Sequence, residues 1–183
     1  MVMAHSQHGW TLEMVHALPD DGNRYELIDG ELFVTPAPTR RHQRAVSKLA
    51  RLLEDFAEQQ GLEVLFAPLG VPIAGGEVQP DIVVCPMVRG PQIPDVVDIA
   101  QLVLAVEVLS PGTKHRDRQA KRHLYQSNGV PEYWIVDLDA RVVERWRPND
   151  VAAEVLTTSF EWQPVAGVTL GIDVTAYFHR VLD

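Results

Sequence analysis

The sequence predicts an α/β fold, a mixed sheet whose central elements run α, β, β, β, α, β, with additional antiparallel strands around it. Three observations predict it. An amphipathic helical pattern between residues 39 and 61 precedes three short segments rich in β-branched residues. The last of these is followed by a helical pattern and a further strand, the order of a parallel crossover. Hydrophobic residues make up 46% of the 183 and charged residues 22%, the balance of a chain that folds around a core. We read one domain over residues 1–183.

The elements follow in order. Trp10 to Leu18 carries Leu12, Val15 and Leu18 at helical spacing and stops at Pro19, which predicts a short leading helix. Arg24 to Ile28 and Glu31 to Thr35 flank Asp29-Gly30, the dipeptide best suited to the positive φ angles of a tight hairpin. Thr39 is the expected N-cap of a helix on which Val46, Leu49, Leu53 and Phe56 form the apolar stripe up to Gly61. Strands are expected over Leu62 to Ala67, Val78 to Cys85 and Leu102 to Leu109, with a loop between Pro86 and Asp98. His115 to Asn128 reads as helix, closed by Asn128-Gly129, and Glu132 to Val136 as the strand after the crossover. Val142 to Trp146 and Glu154 to Thr158 read as antiparallel strands, and Tyr177 lies in a last helical turn.

Composition excludes several classes. The single cysteine, Cys85, rules out an intrachain disulfide, a CxxC pair and a multi-thiolate zinc site, and fits a reducing compartment. No run is apolar for the length of a bilayer span, and MVMAHSQHGW lacks the basic and apolar regions of a secretion signal, so the expected location is cytoplasmic, with no membrane partner. Sixteen basic against 25 acidic residues give a net charge of −9, which argues against coating nucleic acid by bulk charge. Ten of the basic residues nevertheless fall in two windows, Arg40, Arg41, Arg44, Lys48 and Arg51, then Lys114, Arg116, Arg118, Lys121 and Arg122. They are either two solvated helix faces or, if the fold brings them to one side, two strips that hold phosphates.

Glu107 interrupts an apolar strand fit for burial on both faces, so it needs a metal, a cation or a cleft open to water. Asp81 opens the neighbouring apolar strand after Pro80, where it can converge on Glu107. Two close carboxylates raise each other's pKa unless a cation intervenes, and such an oxygen-lined pocket suits Mg²⁺ or Mn²⁺. Lys121 shares a helix face with Asp117 and Leu124 and can reach inward to the same pocket; a solvent-exposed Asp117–Lys121 pair is the alternative.

The linked motifs Tyr25-Glu26-Leu27-Ile28-Asp29-Gly30-Glu31, His42-Gln43, Pro80-Asp81, Glu107-Val108-Leu109-Ser110-Pro111-Gly112-Thr113, Asp117 with Lys121, and Gly129-Val130-Pro131-Glu132-Tyr133-Trp134-Ile135-Val136-Asp137 resemble the putative restriction endonuclease domain family, a former domain of unknown function within the PD-(D/E)XK nuclease superfamily. The resemblance runs from Tyr25 to Trp146. It implies a restriction-endonuclease-like fold and a metal-dependent endonuclease acting on DNA. Asp81, Glu107 and the main-chain carbonyl of Val108 would bind Mg²⁺ or Mn²⁺. The superfamily lysine two residues after the glutamate is replaced here by Leu109, and the resemblance implies that Lys121 has taken over its role of positioning the attacking water. Glu26 would add a carboxylate, with a solvent-facing hairpin glutamate as the competing reading. His42 could approach a phosphate or simply cap its helix, while Tyr25, Tyr133 and Trp134 are expected in the core. Arg40, Arg41, Lys114, Arg116 and Arg118 would contact DNA, and a homodimer is expected if duplex is cut on both strands. Two other readings stay open: a catalytically inactive nuclease fold kept as a binding module, and a hydrolase of another phosphoester.

Overall fold

The computed structural model describes residues 9–183. Its centre is a six-stranded sheet of β3 (Leu62–Phe66), β6 (Ile82–Pro86), β7 (Leu104–Val108), β8 (Glu132–Asp137), β9 (Val142–Trp146) and β10 (Glu154–Leu156), in the order β10-β9-β8-β7-β6-β3. Only β7 and β8 run parallel; the remaining pairs are antiparallel. With α2 (Arg40–Gln59) before β3 and the helical segment between β7 and β8, the expected α, β, β, β, α, β order is present.

Side chains alternate across this sheet and build a core on each face. Ile82, Val84, Leu104, Val106, Trp134 and Val136 face α2 and α5 (Val174–Leu182). The next residues along, Val83, Cys85, Ala105, Tyr133 and Ile135, face the other way with Tyr125 and Val130. Glu107 follows the second parity, so it enters an apolar layer rather than solvent. Thr39 caps α2 by accepting the His42 N–H at 3.3 Å, and the buried stripe of that helix runs from His42 through Leu49 to Ala57.

A second sheet, ordered β2-β1-β5-β4, contains β1 (Arg24–Ile28), β2 (Glu31–Thr35), β4 (Val71–Ile73) and β5 (Gly76–Val78). Asp29 and Gly30 take φ of 52° and 77°, as the tight β1–β2 turn requires. The single strand expected over Val78 to Cys85 is two strands in two sheets. The chain leaves β5 through Gln79-Pro80, where proline has no N–H to offer a ladder, and enters β6 after Asp81. Glu26 of β1 lies beside Gln79 in that break, accepting its N–H at 2.8 Å, because Leu27 pairs with Glu77 just upstream of it.

Other elements depart from expectation by length. The leading helix α1 is confined to Leu12–His16 with Thr11 as its cap, and the terminal turn near Tyr177 extends to nine residues in α5. The hairpin of β11 (Ser159–Val165) and β12 (Val168–Asp173) was not expected; its Phe160 and Trp162 pack edge-on against Trp134. The helix after β7 is α3 (Lys114–Arg116), a π-helical turn Asp117–Lys121, and α4 (Arg122–Ser127). No described helix is long and apolar enough to cross a membrane.

Candidate active site

The π turn brings both Asp117 and Lys121 under the second face of the sheet, where they are buried. Such turns insert an extra residue into the helical ladder and occur often at functional sites. The hydroxyl of Tyr133 on β8 donates to the main-chain carbonyl of Asp117 at 3.0 Å and ties the turn to the sheet. Lys121, with no exposed surface, spans Glu107 Oε1 at 2.6 Å and Glu26 Oε1 at 2.7 Å. Glu26 is therefore not a solvent-facing hairpin residue. It also accepts the Gln79 N–H at 2.8 Å and lies 3.2 Å from the Arg116 guanidinium.

Asp81 comes to the same place from β6. Its Oδ2 accepts the main-chain N–H of Val108 at 2.8 Å and stands 3.0 Å from His42 Nε2, and its Oδ1 accepts Arg24 Nη1 at 2.7 Å. The antiparallel register pairing Ile82 with Val106 sets Asp81 beside Glu107. Burial would raise the Asp81 pKa, but the hydrogen bond and charge of His42, with Arg24 and the Val108 N–H, bring it down to about 2. Glu107 goes the other way: burial, reinforced by the charges of Asp81, Asp117 and Glu26, raises its pKa well above the usual range against the pull of Lys121. Lys121 itself is held protonated, because Glu107, Glu26 and Asp117 outweigh its burial.

Glu107, Val108, Arg24 and His42 line a cleft of about 320 Å³, bounded by the Pro36–Thr39 approach to α2 and the Ser110–Thr113 turn. Asp81, Arg24 and His42 line a second cleft of about 400 Å³ on the side of Asn23 and Pro68.

The donor set fits a divalent ion in a limited way. Two carboxylates and the Val108 carbonyl are hard oxygen donors suited to Mg²⁺ or Mn²⁺, and Mg²⁺ commonly keeps several waters while binding one or two carboxylates. Among the described residues no group of three or more His, Cys, Asp or Glu side chains is disposed to hold a metal. An ion held by Asp81, Glu107 and the Val108 carbonyl would need water for its remaining positions.

The five basic residues expected at DNA are not alike. Arg40 is exposed at the start of α2, on the side shared with Arg44, Lys48 and Arg180. Arg41 and Lys114 both reach Asp139, at 2.7 and 3.0 Å, which brings the two basic windows together at the mouth of the first cleft. Arg116 is spent inside the fold, on Glu26, on the Thr35 hydroxyl and over the Phe33 ring. Arg118 is tied to Asp137 and Glu144. The second window is therefore mostly structural. Sequence reasoning missed Arg24, whose only signal is a lone cation opening the strand that carries Glu26, and it left His42 between a phosphate contact and a helix cap, whereas its ring is buried against Asp81.

The family model Uma2, described as putative restriction endonuclease, matches residues 12–175. No curated protein matches the chain. Among solved structures, the crystal structure of a putative nuclease belonging to DUF820 from Anabaena variabilis ATCC 29413 is similar with a TM-score of 0.79 and 22% identity, over 94% of this chain and 99% of that one. At that identity the likeness establishes the shared fold.

Proposed function

The chain belongs to the Uma2 family of putative restriction endonucleases, and from that membership we propose that it is a nuclease of the PD-(D/E)XK type that depends on Mg²⁺ or Mn²⁺ and hydrolyses phosphodiester bonds of DNA. The observation that carries this reading is the buried bridge from Lys121 to Glu107, at 2.6 Å, beside Asp81. It supplies from the following helix the cation that Leu109 does not supply from the strand. Asp81, Glu107 and the Val108 carbonyl would hold the ion, which when bound offsets charge developing on the phosphate and lowers the pKa of a water.

The protein's own groups do the rest. Lys121 fixes Glu107 through Oε1 and keeps that carboxylate aimed at the cleft. Glu26, itself 3.2 Å from the Arg116 guanidinium, fixes Lys121 in turn, so the ammonium cannot retreat to solvent. Val108 N–H and His42 orient Asp81 from the other side. Arg41 and Lys114 at the cleft mouth, with Arg40 on the neighbouring face of α2, would meet the phosphates flanking the scissile one. This preorganisation is worth most where water is partly excluded, as it is around a cluster this deeply buried.

Cleavage of duplex DNA, single-stranded DNA and RNA with Mg²⁺ or Mn²⁺ tests the reading. Metal-dependent cutting of DNA by the parent chain is expected, lost in Asp81→Asn and Glu107→Gln. The same two variants should lose the metal-induced rise in Tm. A parent chain that cuts none of the three with either metal would leave the inactive binding module as the better account.

A further inference from the structure

We propose that Arg24 is a resident counter-ion that holds the place of the divalent cation at Asp81, and that a cation entering the site must displace its guanidinium, joining the two clefts into one groove. The inference rests on the nuclease reading and deepens it, because it concerns how the same site is loaded.

The division of the site is the first argument. Glu107 and Val108 line one cleft and Asp81 lines the other, while Arg24, Pro38 and His42 form walls of both. The donors that would share one ion are therefore separated by the Arg24 and His42 side chains. The second argument is the asymmetry of Asp81. Oδ2 is held by Val108 N–H and His42, both fixed by the main fold, whereas Oδ1 has the Arg24 bond at 2.7 Å. Oδ1 is the oxygen that exchanges partner with the least loss.

The third argument is how Arg24 is anchored. Apart from Asp81 its Nη1 reaches the Gln79 carbonyl at only 3.3 Å, and its Nε is buried without a hydrogen-bond partner. A guanidinium that had settled permanently would be expected to use its planar fork, as Arg118 does with Nε on Glu144 and Nη2 on Glu144 and Asp137. Arg24 is held chiefly by charge, and a divalent ion outcompetes a monovalent one for charge. Once displaced it stays in the wall of the joined groove, where a phosphate would be its nearest new partner.

Calorimetric titration of Mn²⁺ into the full chain tests this without any substrate. Arg24→Gln should bind Mn²⁺ about tenfold more tightly than the parent, and its Mn²⁺-induced Tm shift should be the larger of the two. Arg24→Lys, which keeps the charge, should remain within about threefold of the parent. Arg24→Met serves in place of the glutamine variant if that chain does not fold, with the same tightening expected. Asp81→Asn added to either should abolish binding. Equal affinity in parent and Arg24→Gln, with loss in Asp81→Asn, would overturn the inference while leaving the metal site in place. Tightening by Arg24→Lys as great as by Arg24→Gln would also overturn it, since the charge would then not be the competitor. Absence of Mn²⁺ binding in every chain would remove the metal reading and the inference together.

Discussion

Lys121 is the residue on which stability and chemistry are hardest to separate. Its ammonium is fully buried between two carboxylates, so Lys121→Ala leaves Glu107 without a cation away from water and Glu26 with Arg116 alone, a loss of about 3–5 kcal/mol. Urea denaturation should show it, and pairing the substitution with Glu107→Gln should recover part of the loss, because one uncompensated charge is removed with it. A loss of cleavage in Lys121→Ala alone is therefore no proof of a catalytic role, and Glu107→Gln is the cleaner probe, since an amide oxygen can still accept from Lys121. Cys85 makes a second prediction. Burial, with the charge of Glu63 adding to it, pushes its thiol up to about 11. At pH 8 the native chain should resist alkylation by iodoacetamide and react only as it unfolds, which mass spectrometry along a denaturant series would record.

The elements matter because of where they break. Gly76 of β5 has no side chain for a steric reason: a Cβ there would lie 2.0 Å from the Leu27 carbonyl oxygen. Gly76→Ala must push β5 from β1, the strand that carries Glu26 to Lys121, and should cost at least about 3 kcal/mol in urea denaturation along with most of the cleavage. The order of the central elements was readable from the sequence because β-branched runs and the α2 stripe have unmistakable periods. The β5–β6 break was not, since Val78 through Cys85 keeps its strand-like composition across Pro80-Asp81 and only the pairing partners change. The π turn left no signal either: Asp117 and Lys121 share a face in an α-helix as well. Glu107, Asp81 and Lys121 were readable as chemistry because each is a charge in apolar company. Arg24 and the internal role of Arg116 were not, because a cation at a strand end or in a basic run looks solvated until the fold supplies its partner.

Over the full chain, charge acts in two opposite ways. The protein carries −9, so at long range it repels a polyanion, yet α2 begins with five basic residues and no acid between Arg40 and Arg51. Arg40, Arg44 and Lys48 recur at four-residue steps, about 6 Å along the axis, and Arg180 of α5 joins them. This strip starts at the mouth of the first cleft through Arg41 and Lys114, so a strand lying along it would have its phosphates lead toward Glu107. Local attraction against a repelling whole predicts binding that is steep in salt, because each phosphate neutralised releases a counterion and the far-field repulsion is screened at every ionic strength that matters. Fluorescence anisotropy on an Asp81→Asn chain, which should bind without cutting, gives the slope of log K against log salt. Reversing Arg40 and Arg44 to Glu should reduce that slope by about two, one for each phosphate that no longer meets a cation. Reversing Arg118 should leave the slope unchanged and lower stability instead, since its partners are Asp137 and Glu144. Equal slopes in the parent and the Arg40, Arg44 reversal would show that the α2 strip is a solvated face and that the nucleic acid approaches the cleft from another side.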